Sequence, residues 1–243
     1  MTKVLHLSVH RTGGATAAAL NLHNALEAQG VESRMLFVDE LLEHLDVTGL
    51  NRAFSEHFAN AHRTEVSNTF FTLHPFDDFP IEHESVAWAD IIHLHWVTGL
   101  VGPRSLRRLS ALGKPIFWTL HDVRPLTGGC HFPAGCRQFS DACEDCIQVT
   151  DESKSVVQKL HADSLAGFDR SGVLFIAPSR WMKTMAQTSS VTRGAQVEHV
   201  PYGLDTQRFA PGDTAAAKAG LGLDSSKKYL LLGANDRLEK RKG

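Results

Sequence analysis

"KVLHLSVHRTGGATAAALNLHNALEAQGVESRMLFVD", residues 3–39, is the stretch whose reading decides the fold. Residues 3–9 are aliphatic and β-branched and read as a buried strand. The pair Gly13-Gly14 makes a turn, Thr16 is placed to cap, and Ala18, Leu22, Ala25 and Leu26 form an apolar stripe at helical spacing that stops at Gly30. Residues 33–39 read as a second strand. Strand, glycine turn, helix, strand is a βαβ unit, which predicts a parallel sheet with right-handed crossovers.

Working outward, the alternation weakens and then resumes. Residues 47–84 read as a polar helix around 51–62, a short strand at 69–73 and a loop rich in Phe, Asp and Pro. A strand is expected at 91–94, a helix at 103–112 with Pro103 in its first turn, and a strand at 115–120. An amphipathic helix at 152–168, a strand at 173–177, a short helix at 180–187 and a strand at 196–200 follow. The expectation is an α/β, Rossmann-like domain over residues 1–211, a parallel sheet with helices on both faces. "PYGLDTQRFAPGDT" (201–214) reads as a linker. An alanine-rich helix comes next, and then an apolar strand at 229–234. Residues 212–243 are thus expected to be a linker and the first strand of a truncated second domain, with an extra edge strand on the first sheet as the alternative.

Composition narrows the function classes. A formal charge of −2 over 243 residues gives no bulk electrostatic attraction for nucleic acid or anionic membrane. The basic clusters at 104–108 and 240–242 read as solvated faces, and no nucleic-acid partner is expected. The N-terminal apolar stretch is broken by His6, Ser8 and His10, unlike a signal peptide, and no apolar run is long enough to cross a bilayer. The expected location is the cytoplasm, where thiols stay reduced.

All four cysteines fall in one loop, residues 125–147, spaced C-x5-C-x6-C-x2-C: Cys130, Cys136, Cys143 and Cys146. Cys143-x2-Cys146 is a spacing that brings two thiolates onto a tetrahedral metal. The set reads as ligands of a structural zinc, with His131 able to replace one, or as reduced free thiols, or as a regulatory disulfide.

Three other loops fall where strands end and helices begin, the place where open parallel sheets bind ligands. Gly13 and Gly14 would let a phosphate or sugar approach the backbone, or simply make a turn. His93 and His95 alternate with aliphatics and so share one face, with Trp96 beside them to stack on a sugar or pack. His121 and Asp122 end the strand before the cysteine loop, as a polar clamp for hydroxyls or a loop cap.

Taken together, "GGA", "HLHW", "TLHD" running into "PLTGGCH…GC…C…C", "PSRWM" and "PYGLDTQRF" resemble the N-terminal half of retaining family-four glycosyltransferases. These are GT-B enzymes, two Rossmann-like domains facing a cleft, and the subgroup resembled builds bacterial exopolysaccharides of the colanic-acid type. The resemblance implies a transferase that moves a sugar from a nucleotide-sugar donor to a saccharide or lipid-linked acceptor with retention, without a catalytic metal. Such an enzyme works in the cytoplasm or as a peripheral protein at the inner face of the plasma membrane. It further implies that Gly13 and Gly14 line the cleft near the diphosphate, that His121 sits by the reacting sugar, and that Asp122 shapes the acceptor side. Arg237 and Lys242 keep the spacing of the residues that neutralise the diphosphate. His95 and Trp96 join the substrate-binding set.

Two positions depart from the family: Arg124 stands where an aromatic is usual, and Tyr202 where asparagine is usual. The acids that hold the donor belong to the family's second domain and are absent from this sequence. Two other readings compete. A dinucleotide-binding oxidoreductase would use Asp39 at the end of the second strand, although the turn lacks G-x-G-x-x-G. A non-catalytic, zinc-stabilised interaction domain is the other.

Overall fold

The computed structural model describes residues 1–41, 46–168, 172–233 and 238–242. In chain order its elements are β1 (Lys3–Ser8), α1 (Gly14–Ala28), β2 (Glu32–Phe37), α2 (Val38–Leu41), α3 (Val47–His62), α4 (Glu84–Trp88) and β3 (Ile91–Leu94). Then come α5 (Pro103–Ser110), β4 (Ile116–Thr119), α6 (Lys154–Gly167), β5 (Val173–Ala177), α7 (Arg180–Thr188), β6 (Gln196–His199) and α8 (Thr214–Gly220). The strands form one sheet in the order β2-β1-β3-β4-β5-β6, every neighbouring pair parallel. The chain is α/β and Rossmann-like. Among the described residues no helix is long and apolar enough to cross a membrane.

Period-two alternation divides the sheet's two faces. Leu5, Leu7, Ile92, Leu94, Ile116, Trp118 and Phe175 are buried in a core that also takes Val86 from α4, Leu106 and Leu109 from α5, and Met182 and Ala186 from α7. The opposite face is covered differently. Ala18, Leu22 and Leu26 of α1 share a groove there with Val4, Ile91, Phe117 and Ile176. That face also carries a row of histidines.

The topology sets where a ligand can enter. From β1 the chain crosses to β2 on one side, and the later strands run off on the other. The order therefore reverses between β1 and β3, and loops diverge from their carboxyl ends there.

Several expected boundaries move for physical reasons. β2 stops at Phe37, and the chain turns into α2, where Asp39 and Glu40 accept from Arg11 at 2.7 and 2.8 Å. Thr16 does not cap α1: Gly13 precedes the helix, and the Thr16 hydroxyl donates back to the His10 and Thr12 carbonyls. The expected strand at 69–73 is reduced to a single antiparallel bridge, Phe71 to Cys130. Its backbone is satisfied by side chains instead, as where Leu73 N–H donates to the Ser55 hydroxyl of α3 at 2.9 Å. The short α4 forms where no element is expected from the sequence, and it is capped by the His83 ring, which accepts from Ser85 N–H.

The strand expected at 229–234 does not form over its described part, residues 229–233. Leu230, Leu231 and Leu232 are 86, 95 and 83% exposed, so no neighbouring strand supplies the hydrogen bonds a ladder requires. The alternative, an added edge strand, is likewise not formed there. Arg237 lies outside the described residues, and of Lys242 only the backbone, in a terminal turn, is described.

Candidate functional site

A cavity of about 860 Å³ opens at the switch point. Val9 and His10 reach it from the end of β1, Trp96 and Thr98 from the end of β3, and Arg52 and Glu56 from α3. His10 stacks on Trp96 with ring centroids 4.8 Å apart and planes 27° apart. This stack makes an aromatic wall with polar groups around it.

The wall is held from behind. Trp96 Nε1–H donates to Asp122 Oδ2 at 2.8 Å, which links the end of β3 to the end of β4. The same carboxylate meets His131 Nδ1 at 2.7 Å and accepts from the Arg124 amide at 2.9 Å. With Nδ1–H donating, His131 Nε2 meets the Thr72 hydroxyl at 2.8 Å, and Thr72 borders the cavity. Burial pushes the Asp122 carboxyl up. The His131 ring, its hydrogen bond, the Arg124 amide and the Trp96 N–H outweigh that and hold it at about 2. Asp122 is therefore a charged anchor for Trp96 and His131 rather than a group lining the cavity.

His121 faces elsewhere. It lines a second groove, of about 300 Å³, on the α1 face of the sheet, together with His93, His95 and Tyr202. Its Nδ1 meets the Tyr202 hydroxyl at 2.8 Å and its Nε2 meets His95 Nδ1 at 3.2 Å, and the Tyr202 ring stacks over it. Burial lowers the His121 ring to about 4, so it is neutral at pH 7. His95 is buried among histidines, on the groove side rather than at the cavity. His93 and His95 do share one face, as their spacing predicts, and their rings stack 4.2 Å apart.

Gly13 and Gly14 are exposed at the start of α1 and border neither the cavity nor the groove. Gly13 has φ +103°, a backbone conformation that asks for glycine. Asp39, the acid of the oxidoreductase reading, is occupied by Arg11.

The four cysteines line one small pocket with Phe139, Val157 and Gln148. None is in a disulfide. Burial pushes the Cys130 and Cys143 thiols up to about 12. Backbone amides aim at three sulfurs: Gln138 at Cys136, Gly128 at Cys143, and Gln148 and Val149 at Cys146. Such donors suit metal-bound thiolates. Among the described residues, however, no three of the sulfurs lie within 4.8 Å of one another, wider than a closed coordination sphere, and His131 is committed to Asp122 and Thr72. Arg124 explains its own departure from an aromatic: it is buried and ties the loop down through Nε–H to the Thr72 carbonyl at 3.0 Å.

Sequence reading missed His6, which looked like an interruption in an apolar strand, and Thr72 and Arg52 at the cavity. A polar residue at an inward position of a buried strand was the available signal for His6. Thr72 and Arg52 have none, because long-range packing alone brings them to the cavity. The chain matches no protein-family model and no curated protein sequence. Fold and geometry define it as an α/β, Rossmann-like protein with a polar and aromatic cavity at the switch point of its sheet.

Proposed function

We propose that this chain is the acceptor-side half of a retaining, nucleotide-sugar-dependent glycosyltransferase acting in bacterial surface polysaccharide assembly. The observation that carries the reading is the His10–Trp96 wall at the switch point, fixed from behind by the charged Asp122. A sugar ring offers an apolar C–H face and a belt of hydroxyls. It is suited to an aromatic surface rimmed by Glu56, Asn60 and Thr72. The cavity is of the size that encloses a small oligosaccharide.

In this reading the bond from the donor's anomeric carbon to the diphosphate breaks while the acceptor hydroxyl oxygen bonds that carbon on the same face. The hydroxyl proton passes to the departing diphosphate. By the resemblance, Arg237 and Lys242 neutralise the charge that the diphosphate gains. His121, which the resemblance puts by the reacting sugar, faces the α1-side groove here with both ring nitrogens engaged by Tyr202 and His95, and it has no part in the acceptor wall. Asp122 and His131 position the acceptor wall. The cysteine loop holds that wall's outer side through His131 on Asp122 and Arg124 on Thr72.

Saturation-transfer NMR and calorimetry test this. Oligosaccharides of bacterial surface polysaccharides should bind the wild-type chain, and Trp96→Ala should weaken that binding by about tenfold or more. NAD should give no heat. Heat with NAD and silence with every saccharide would overturn the reading in favour of a dinucleotide enzyme.

A further inference from the structure

On the α1 face of the sheet, away from the switch-point cavity, three buried histidines converge. His6 of β1 and His93 of β3 are direct register partners, so their side chains leave the sheet on the same side. His95, two residues on and just past the end of β3, joins them. Ring centroids are 5.1 Å apart for His6 and His93, 5.2 Å for His6 and His95, and 4.2 Å for His93 and His95. One ligand nitrogen from each ring lies within 4.8 Å of the others. Among the described residues this is the one group of His, Cys, Asp and Glu side chains so arranged.

We propose that His6, His93 and His95 form a binding site for one divalent first-row transition metal ion, zinc by preference. The site is separate from the cysteine loop, and its existence does not depend on the glycosyltransferase reading.

The hydrogen bonds around the cluster are those of a ligand set. His93 Nε2 meets the Thr119 hydroxyl at 2.8 Å, and His95 Nδ1 meets His121 Nε2 at 3.2 Å. Each of these rings thereby uses one nitrogen outward, which fixes its tautomer and leaves the other for a metal. His6 Nδ1 stands 3.0 Å from His95 Nε2, close to the ~3.3 Å edge of a tetrahedron built on metal–nitrogen bonds of about 2.0–2.1 Å. His6 is fully buried, and its Nε2 has no hydrogen-bond partner; Nδ1 is the nitrogen it turns toward His95, so Nε2 stands outside the ligand set. The Ser8 hydroxyl, two residues along β1 on the same face, is also buried without a partner.

The chemistry is right for the class of ion. All three rings are buried, which disfavours the charged form, and it is the neutral imidazole that offers a lone pair to a metal. Imidazole donors select zinc, cobalt, nickel and copper over magnesium or calcium. Three protein nitrogens leave a fourth position, and the groove of about 300 Å³ that His93 and His95 border supplies both access and space for water.

The cysteine loop must be silenced for a clean test, so Cys143→Ser/Cys146→Ser is the background. Cobalt(II) titrated into that chain should bind at about one ion per chain and give the visible absorption of four-coordinate cobalt without thiolate charge-transfer bands. His6→Asn and His93→Gln should each weaken binding by about tenfold or more, and His199→Gln, on β6, should not. Should the histidine variants fail to fold, nitrogen-15 spectra of histidine-labelled background chain decide: zinc should move the ring signals of three histidines. Absence of binding in the background, unchanged binding in folded histidine variants, or zinc that moves no ring signals would overturn the site.

Discussion

Asp122 concentrates the chemistry of the candidate site in one side chain. Its carboxylate, 12% exposed, accepts from Trp96, His131 and the Arg124 amide, and its folded value of about 2 lies below the ordinary 3.8. A carboxyl depressed in the folded state adds stability that is complete above the unfolded value and is lost as pH falls through the folded one. The window is therefore between about pH 4 and pH 2, and the shift corresponds to roughly 2 kcal/mol. Urea unfolding across that range should show the wild-type chain losing this increment and Asp122→Asn lacking it. At pH 7 the same variant should be less stable by about 2 kcal/mol, because charged hydrogen bonds are replaced by weaker ones. Equal acid profiles for the two chains would remove Asp122 from its anchoring role. The position of Asp122 at a strand end was legible in the sequence. Its bond to Trp96 was not, because it needs β3 and β4 side by side, and local pattern carries no information about neighbours in the sheet.

At the scale of elements, what could be read was what depends on local periodicity. β5 falls on residues 173–177 as expected, and α5, α6 and α7 start and stop within about two residues of their expected bounds. What failed was residues 69–73, whose strand-like composition is overridden because α3 side chains and the cysteine loop satisfy the backbone. That loop packs closely. A Cβ on Gly128 would lie 2.4 Å from the Val157 carbonyl oxygen of α6. Gly128→Ala must push α6 outward and should cost about 1–3 kcal/mol, whereas Gly203→Ala, with nothing within 4 Å, should stay within about 0.5 kcal/mol. Thermal melts of the two variants compare them directly. For the loop's metal, elemental analysis of a His6→Asn chain should find about one zinc, since the histidine site is removed and the thiols remain. No zinc, with four thiols titrating freely in the native chain, would leave the loop held by packing alone.

For the whole molecule, the sheet and its two layers hold the stability, and residues 212–233 contribute little to them. Over that stretch every residue but Lys218 is exposed, and Leu230, Leu231 and Leu232 present apolar surface to water. Farther along, Lys240 N–H donates to Asn68 Oδ1 at 2.9 Å, Lys240 Nζ–H donates to the Glu65 carbonyl, and Asn68 Nδ2–H donates to the Leu238 carbonyl at 2.7 Å, all at exposed positions. Exposed hydrogen bonds of this kind lie at the low end of the usual range, about 0.5 kcal/mol each. Deleting residues 212–243 should therefore shift the melting temperature by no more than about 6 °C in a domain of this size, while the core between the sheet and α4, α5 and α7 stays intact. Solubility should rise, because an unpaired apolar run is a template for association between chains. Light scattering at increasing concentration measures the second effect and calorimetric melting the first. A fall of more than about 10 °C would mean that the tail braces the domain through contacts stronger than these three hydrogen bonds, and that residues 1–211 are not the folding unit.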